Sequence, residues 1–364
     1  MTKHEASHAK EPFFHIVKRD QLPLWKSILI RICAILIAFI VCSLLVFFVA
    51  KVDPISFLTK MIDGVFGTSR RIWTLLKDMS VLLCIALAIT PAFKMKFWNI
   101  GAEGQVLMGC LSSVACVIYF GKHLSNGPLL ICMFIASILV GALWAVIPAI
   151  FKALWNTNET LFTLMMNYIA TSLVAYSLLK WVDSGSSTLG ELQTGHLPIV
   201  YHEYLLLIVI VAIVTVLMHI YLKYAKHGYE ISVVGESPKT AQYIGINVKK
   251  VIIRTLIVSG AICGLAGFLI VGALDHSVTK VSVGGQGFTA IMVSWLAKFN
   301  PFVMIATSFL MIFLNQGVDQ VATNLKMNNA ISDVIVGIVL FFVIGCEFFI
   351  NYKFVFRKKE GTGQ

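Results

Sequence analysis

Residues 28–50 read ILIRICAILIAFIVCSLLVFFVA, a run carrying a single charge, Arg31. An α-helix rises about 1.5 Å per residue, so about 20 apolar residues cross the hydrocarbon core of a bilayer. This run is long enough to do so. Comparable runs recur at 72–94, 99–121, 128–151, 160–181, 203–224, 251–274, 284–298, 301–318 and 330–351. Two are weaker: Lys77 and Asp78 interrupt 72–94, and 284–298 is short and opens on glycines. The expected fold is an all-α polytopic membrane helix bundle of about ten transmembrane helices, or eight if the two weak segments re-enter. Composition agrees. Of 364 residues, 58% are apolar and 13% charged, whereas water-soluble domains carry about 25% charged residues. So much apolar surface cannot be hidden from water, and a soluble globule is excluded.

The formal net charge is +11. In a soluble chain that surplus suggests nucleic acid, but in a membrane protein basic residues gather on the cytoplasmic side. Lys3, Lys10, Lys18, Arg19 and Lys26 precede the first run. Lys94, Lys96, Lys152, the group from Lys223 to Arg254, Lys298, and Lys353 to Lys359 fall on the same side if the chain crosses ten times. That topology biases basic residues inward by roughly two to one and puts both termini in the cytoplasm. No nucleic-acid partner is then needed. The chain divides into a cytoplasmic tail (1–27), a membrane domain (28–352) and a second cytoplasmic tail (353–364). Within the membrane domain, 51–78 reads as an outer interfacial amphipathic segment, and 225–250 as the longest basic cytoplasmic loop. The first run follows a long polar leader without a cleavage site, so it reads as a retained anchor. The eight cysteines lie in or beside apolar runs without a CxxC pair and read as small hydrophobes. There is no GxxxxGK[ST], HExxH or GxSxG, so neither catalysis, metal nor cofactor is expected, and the chain has no nucleotide site of its own.

Four polar constellations interrupt the apolar pattern. Trp98-Asn99-Ile100-Gly101-Ala102-Glu103-Gly104-Gln105 places a carboxylate between two glycines, flanked by amides, at the mouth of a run. A charge at that depth is costly and usually faces a pathway or a partner, although an acid also suits the start of a helix. In Asn158-Glu159-Thr160, Asn158 reads as a helix cap with Glu159 in the first turn. Asn167, two and a half turns on, reads equally as a path residue or as interhelical glue. Gly284-Gly285-Gln286-Gly287-Phe288 opens a short segment of the kind that forms discontinuous helices at transporter sites; an ordinary outer loop is the alternative. In the loop 235–247, Ser237 suits a cap, Pro238 the first helical position and Gly245 the stop. A short cytoplasmic helix is expected over 237–246, with Ala241 and Tyr243 exposed. It reads as a docking peg or a passive connector.

Together FWNIGAEGQ (97–105), NETLFTLMMNYIA (158–170), GESPKTAQYIGINVKKV (235–251), SGAICGLAG (259–267) and GGQGFTAIMVSWLAKFNP (284–301) resemble the permease subunits of ATP-binding-cassette (ABC) importers for nucleosides and simple sugars. That group sits within the wider branched-chain amino acid and ribose permeases. The resemblance covers about 72–320. It implies a type II importer-like permease of the bacterial plasma membrane, two separate ATPase subunits, and a second, paralogous permease. It further implies an extracellular lipoprotein or periplasmic binding protein that delivers the solute. Asn99, Glu103, Gln105, Asn167 and Phe288 are then expected along the solute path. Ser237, Ala241, Gln242, Tyr243 and Gly245 are expected on the helix that couples to the ATPase. The chain departs from the family pattern at Thr289, where an acid is common, and at Trp98 and Trp295, where smaller residues are expected. An ion-driven secondary transporter is the rival reading, with Glu103, Glu159 and Asp333 as coupling acids; it lacks the inverted repeats such proteins show.

Overall fold

The computed structural model describes residues 14–19, 23–182, 189–324 and 329–356. Lys3, Lys10, Arg357, Lys358 and Lys359, counted in the charge argument, lie outside the described residues, as does the side chain of Asp333. The chain forms two compact units, residues 1–67 with 314–364 and residues 68–313.

The first unit contains β1 (Phe14–Lys18), α1 (Leu24–Ala50), α2 (Pro54–Phe66), α13 (Asn329–Asn351), β2 (Tyr352–Phe356) and the end of α12 (Pro301–Asn324). β1 and β2 pair antiparallel from Phe14↔Phe356 to Lys18↔Tyr352. This ribbon is a short addition to an otherwise all-α fold. FHIVK and YKFVF are rich in the aromatic and β-branched residues that fit a pleated edge. β1 precedes α1 and β2 follows α13, so the ribbon pairs the strands that flank these two helices. Arg31 of α1 donates its Nε to Glu347 of α13 at 2.9 Å, an ion pair within two apolar helices. The segment 51–78 is not one continuous helix. Asp53 accepts from Ser56 N at 3.1 Å, Pro54 starts α2, and α2 ends at Phe66. It packs closely on α12: a Cβ at Gly317 would lie 2.5 Å from Met61 Cγ.

The second unit contains α3 (Ser69–Lys94), α4 (Ala102–Phe120), α5 (Asn126–Trp155), α6 (Glu159–Trp181), α7 (Leu205–Lys223), α8 (Lys226–Glu236), α9 (Pro238–Tyr243), α10 (Val248–Ile270, continued by a π-helical turn at Val271–Asp275), α11 (Gln286–Leu296) and the start of α12. α10 is its centre and packs on α3, α4 and α5. Small residues let the backbones touch: a Cβ at Gly141 of α5 would lie 2.7 Å from Gly264 Cα, and one at Gly109 of α4 would lie 2.8 Å from the same atom. Lipid gives helices no hydrophobic reason to associate, so close van der Waals packing of this kind supplies it.

Among the described residues nine helices are long and apolar enough to cross a membrane. Lys77 and Asp78 do not break the second run. They face each other at 3.6 Å, Lys77 lies 5.4 Å over the Tyr204 ring, and α3 continues for 26 residues. The eighth run is the one that fails to span as a helix. α11 has 11 residues, about 16 Å of rise. Leu197 N bonds Gly272 O at 2.8 Å before this segment, and Trp98 meets Trp295 of α11. Residues 276–285 run through bends and turns into α11, and 297–300 turn into α12.

Candidate functional site

The site begins where α3 stops. Phe97 N returns to Ala92 O at 2.9 Å, and Lys96 adopts φ +60°. The chain then turns inward and starts α4 among other helices, where its free N–H groups have no water to meet. Side chains from three directions supply the partners. Asn99 Oδ1 accepts from Gly101 N and from Gln105 Nε2, both at 3.1 Å. Its Nδ2 reaches Gln105 Oε1 and Ser259 Oγ of α10, both at 3.4 Å. Thr163 Oγ1 of α6 accepts from Ile100 N at 3.2 Å. Asn167, one turn further along α6, accepts from Gly104 N at 2.8 Å and donates to Ile100 O at 2.9 Å. Gly104 is required here, since a Cβ would lie 2.8 Å from Asn167 Oδ1.

Glu103 points away from this knot toward α11. Its Oε1 accepts from Gly285 N and its Oε2 from Gly287 N, each at 2.8 Å. A carboxylate from one helix thus caps the N-terminus of another, satisfying two orphan donors and meeting the positive end of the helix dipole. Gly284 and Gly285 have φ +61° and +76°, a region that costs other residues. Thr90 and Ser294 hydroxyls, 3.0 Å apart, tie the far end of α11 to α3.

The structure therefore brings Asn99, Glu103, Gln105 and Asn167 together, but their polar groups bond protein. Asn99 and Gln105 are buried completely or nearly so, at 0% and 1% exposure. The open surface beside them is apolar and largely aromatic. Phe288, Met292 and Trp295, at i, i+4 and i+7 of α11, are exposed, as is Trp98, whose ring centroid lies 5.4 Å from that of Trp295. Of the expected path residues, Phe288 alone belongs to this face. The tryptophans stood out in the sequence as departures; the period of α11 puts Phe288, Met292 and Trp295 on one face, and only the packing brings Trp98 beside it.

At the other candidate site, Ser237 Oγ accepts from Thr240 N at 3.2 Å, Pro238 opens α9, and Gly245 has φ +84°. The helix is six residues long rather than ten. Tyr243 is 91% exposed, and Gln242, Lys239 and Gly245 are open. Ala241 is not: it is 0% exposed, in a cluster with Met95, Phe97, Ile231 and Val251. That corrects the expectation that Ala241 is exposed. In a six-residue helix lying on its own protein one position must face inward, and the small residue does. Glu230 of α8 accepts from Arg254 of α10 at 2.6 Å, which holds its carboxyl below the usual carboxylate range. Glu159, a coupling acid in the rival reading, is paired with Lys152 at 2.8 Å.

The family model for the permease component of branched-chain amino acid transport systems matches residues 71–344. The chain belongs to that family. It is a permease subunit of an ABC importer, a multi-pass protein of the plasma membrane, and the family implies ATPase and solute-binding partners. It is similar to the guanosine ABC transporter permease protein NupP of Bacillus subtilis, with 26% identity over 312 residues, 82% of this chain and 88% of the relative. It is also similar to the nucleoside ABC transporter permease protein NupB of Lactococcus lactis, with 27% identity over 347 residues, 91% and 92% of the two chains. A third relative is the glucose ABC transporter permease protein TsgB13 of Haloferax volcanii, 27% identical over 289 residues, 75% of each chain.

Proposed function

We propose that this permease carries nucleosides, and that Phe288 and Trp295 of α11, with Trp98, line its path. The aromatic face carries the reading. A nucleobase has a π-face, and stacking on an aromatic side chain contributes about 1–3 kcal/mol per base. A free sugar offers mainly hydroxyls and needs unoccupied amides or carboxylates; here those of Asn99, Glu103, Gln105 and Asn167 are bonded within the chain. In this reading the four polar residues hold the aromatic face in place. Two of the relatives above are named for nucleosides or guanosine, which supports the choice over the sugar named for the third.

The exposed residues of α9, with Ser237, Gln242, Tyr243 and Gly245, dock into the ATPase on the cytoplasmic side, where the charge bias puts both chain ends. Ala241 supports α9 from behind. Its cluster contains Met95 and Phe97, which lead directly into Trp98 and Asn99, so displacement of α9 pulls on the segment that carries the aromatic face. The second permease is a paralogue of this chain: NupP has a counterpart, NupQ, also a guanosine permease protein of Bacillus subtilis and 25% identical to this chain over 223 residues. A binding lipoprotein delivers the solute from outside.

Uptake of labelled guanosine, adenosine and glucose by cells expressing the chain with its partner subunits tests the substrate. Nucleoside uptake that falls about tenfold in Trp295→Ala, at unchanged membrane level, is the expected result. Glucose uptake that nucleosides do not compete would overturn it.

A further inference from the structure

In the first unit, α1 and α13 leave a cavity of about 530 Å³ between them, lined by apolar groups including Leu29, Cys33, Ile37, Phe342, Gly345 and Phe349. That volume lies within the range of small-molecule sites, about 300–1,000 Å³. It also lies between two helices apolar and long enough to cross the bilayer, so the solvent that meets it is lipid. One end carries positive charge. Lys26 stands one turn before Leu29 on the same face of α1, and Lys353 follows Phe349 by four positions, in the ribbon strand that leaves α13. Lys18 stands in the other strand, paired with Tyr352. All three lysines are exposed. Glu347, the acid on this turn of α13, is held by Arg31.

We propose that this groove is a binding site for an anionic phospholipid, with one acyl chain between α1 and α13 and the headgroup at Lys26, Lys353 and Lys18. Basic clusters at the membrane edge of a span attract anionic headgroups, and long lysine side chains reach the interface while their stems stay on apolar surface. The bound lipid joins α1 and α13 beside the ribbon that also joins their flanking strands.

Gly345 provides a clean perturbation. A Cβ there meets nothing within 4 Å, so Gly345→Leu fills the groove without displacing backbone. The full chain, purified in mild detergent, is titrated with dioleoylphosphatidylglycerol and with dioleoylphosphatidylcholine, and bound lipid is counted by native mass spectrometry. Each lysine near an anionic surface is worth about fivefold in affinity, so phosphatidylglycerol should be retained about tenfold or more over phosphatidylcholine. The triple variant Lys18→Gln/Lys26→Gln/Lys353→Gln should erase that preference, and Gly345→Leu should remove both lipids. The lysine variant alters exposed side chains only, so it stays informative if Gly345→Leu fails to fold. Equal binding of the two lipids by the unaltered chain would overturn the proposal. Phosphatidylglycerol binding that survives Gly345→Leu would do so too, as would loss of partner-permease association in that variant with lipid binding unchanged.

Discussion

Glu103→Gln removes half of the cap that holds α11. Both carboxylate oxygens are used, one on Gly285 N and one on Gly287 N, each at 2.8 Å. Glutamine keeps one oxygen and turns an NH2 group toward the second N–H. The variant loses a hydrogen bond to a charged group, worth about 1.5–3 kcal/mol, and leaves a backbone N–H unpaired at about 1–3 kcal/mol. These overlap, and about 3 kcal/mol is a reasonable net, augmented by loss of negative charge at the positive end of α11. At 1.4 kcal/mol per decade that raises the open population of α11 about a hundredfold. Peptide-level hydrogen exchange over 284–292 reads it directly, and protection there should fall by about two decades. Peptides from the α5–α10 crossing, such as 137–145, should keep theirs. Glu103→Asp retains the charge but not the reach to both amides, and should lie between. Nucleoside uptake should fall in the same order. Loss of uptake with unchanged exchange over 284–292 would refute the reasoning, because Glu103 would then act on the solute and not on the helix.

Gly264→Ala should destabilise the second unit by about 1–3 kcal/mol, since the added Cβ would lie 2.7 Å from Ser137 C and 3.1 Å from Ile138 Cα, backbone that cannot step aside; a detergent-stable thermal melt measures the loss. Tyr243→Ala should abolish stimulation of the ATPase with an unchanged melting temperature, whereas Ala241→Glu should lower the melting temperature itself by placing a charge in the Met95–Phe97 cluster; equal melting temperatures for the two variants would contradict the inward placement of Ala241. The Glu230–Arg254 pair lowers the folded pKa of Glu230, so its stabilisation is present above the unfolded carboxylate value of about 4.3 and is lost as pH falls through the folded value. The melting-temperature gap between the unaltered protein and Glu230→Gln should therefore be open at neutral pH and close in acid.

The family, nine of the ten expected membrane runs and the caps at Asn158 and Ser237 were legible in the chain alone. Transfer of a residue into lipid depends on that residue and its near neighbours, which is why runs such as 28–50 and 128–151 announce themselves. Caps are local for the same reason: Asn158 and Ser237 each bond an amide three positions on. The glycine-broken entry at 284–287 was also visible, as was the polar cluster around Glu103. What each polar group bonds was not. Glu103 meets an amide 182 positions away, Asn167 one 63 positions away, and Arg31 its acid 316 positions away. Read singly, Asn99, Glu103, Gln105 and Asn167 looked like groups waiting for a solute. In a medium without water a helix end must find donors and acceptors among whatever other helices reach the same depth. Only the packing of α4, α6, α10 and α11 decides which those are. The same packing turned Ala241 inward and Trp98 and Trp295 outward, choices that composition and periodicity leave open because they depend on what lies across the gap.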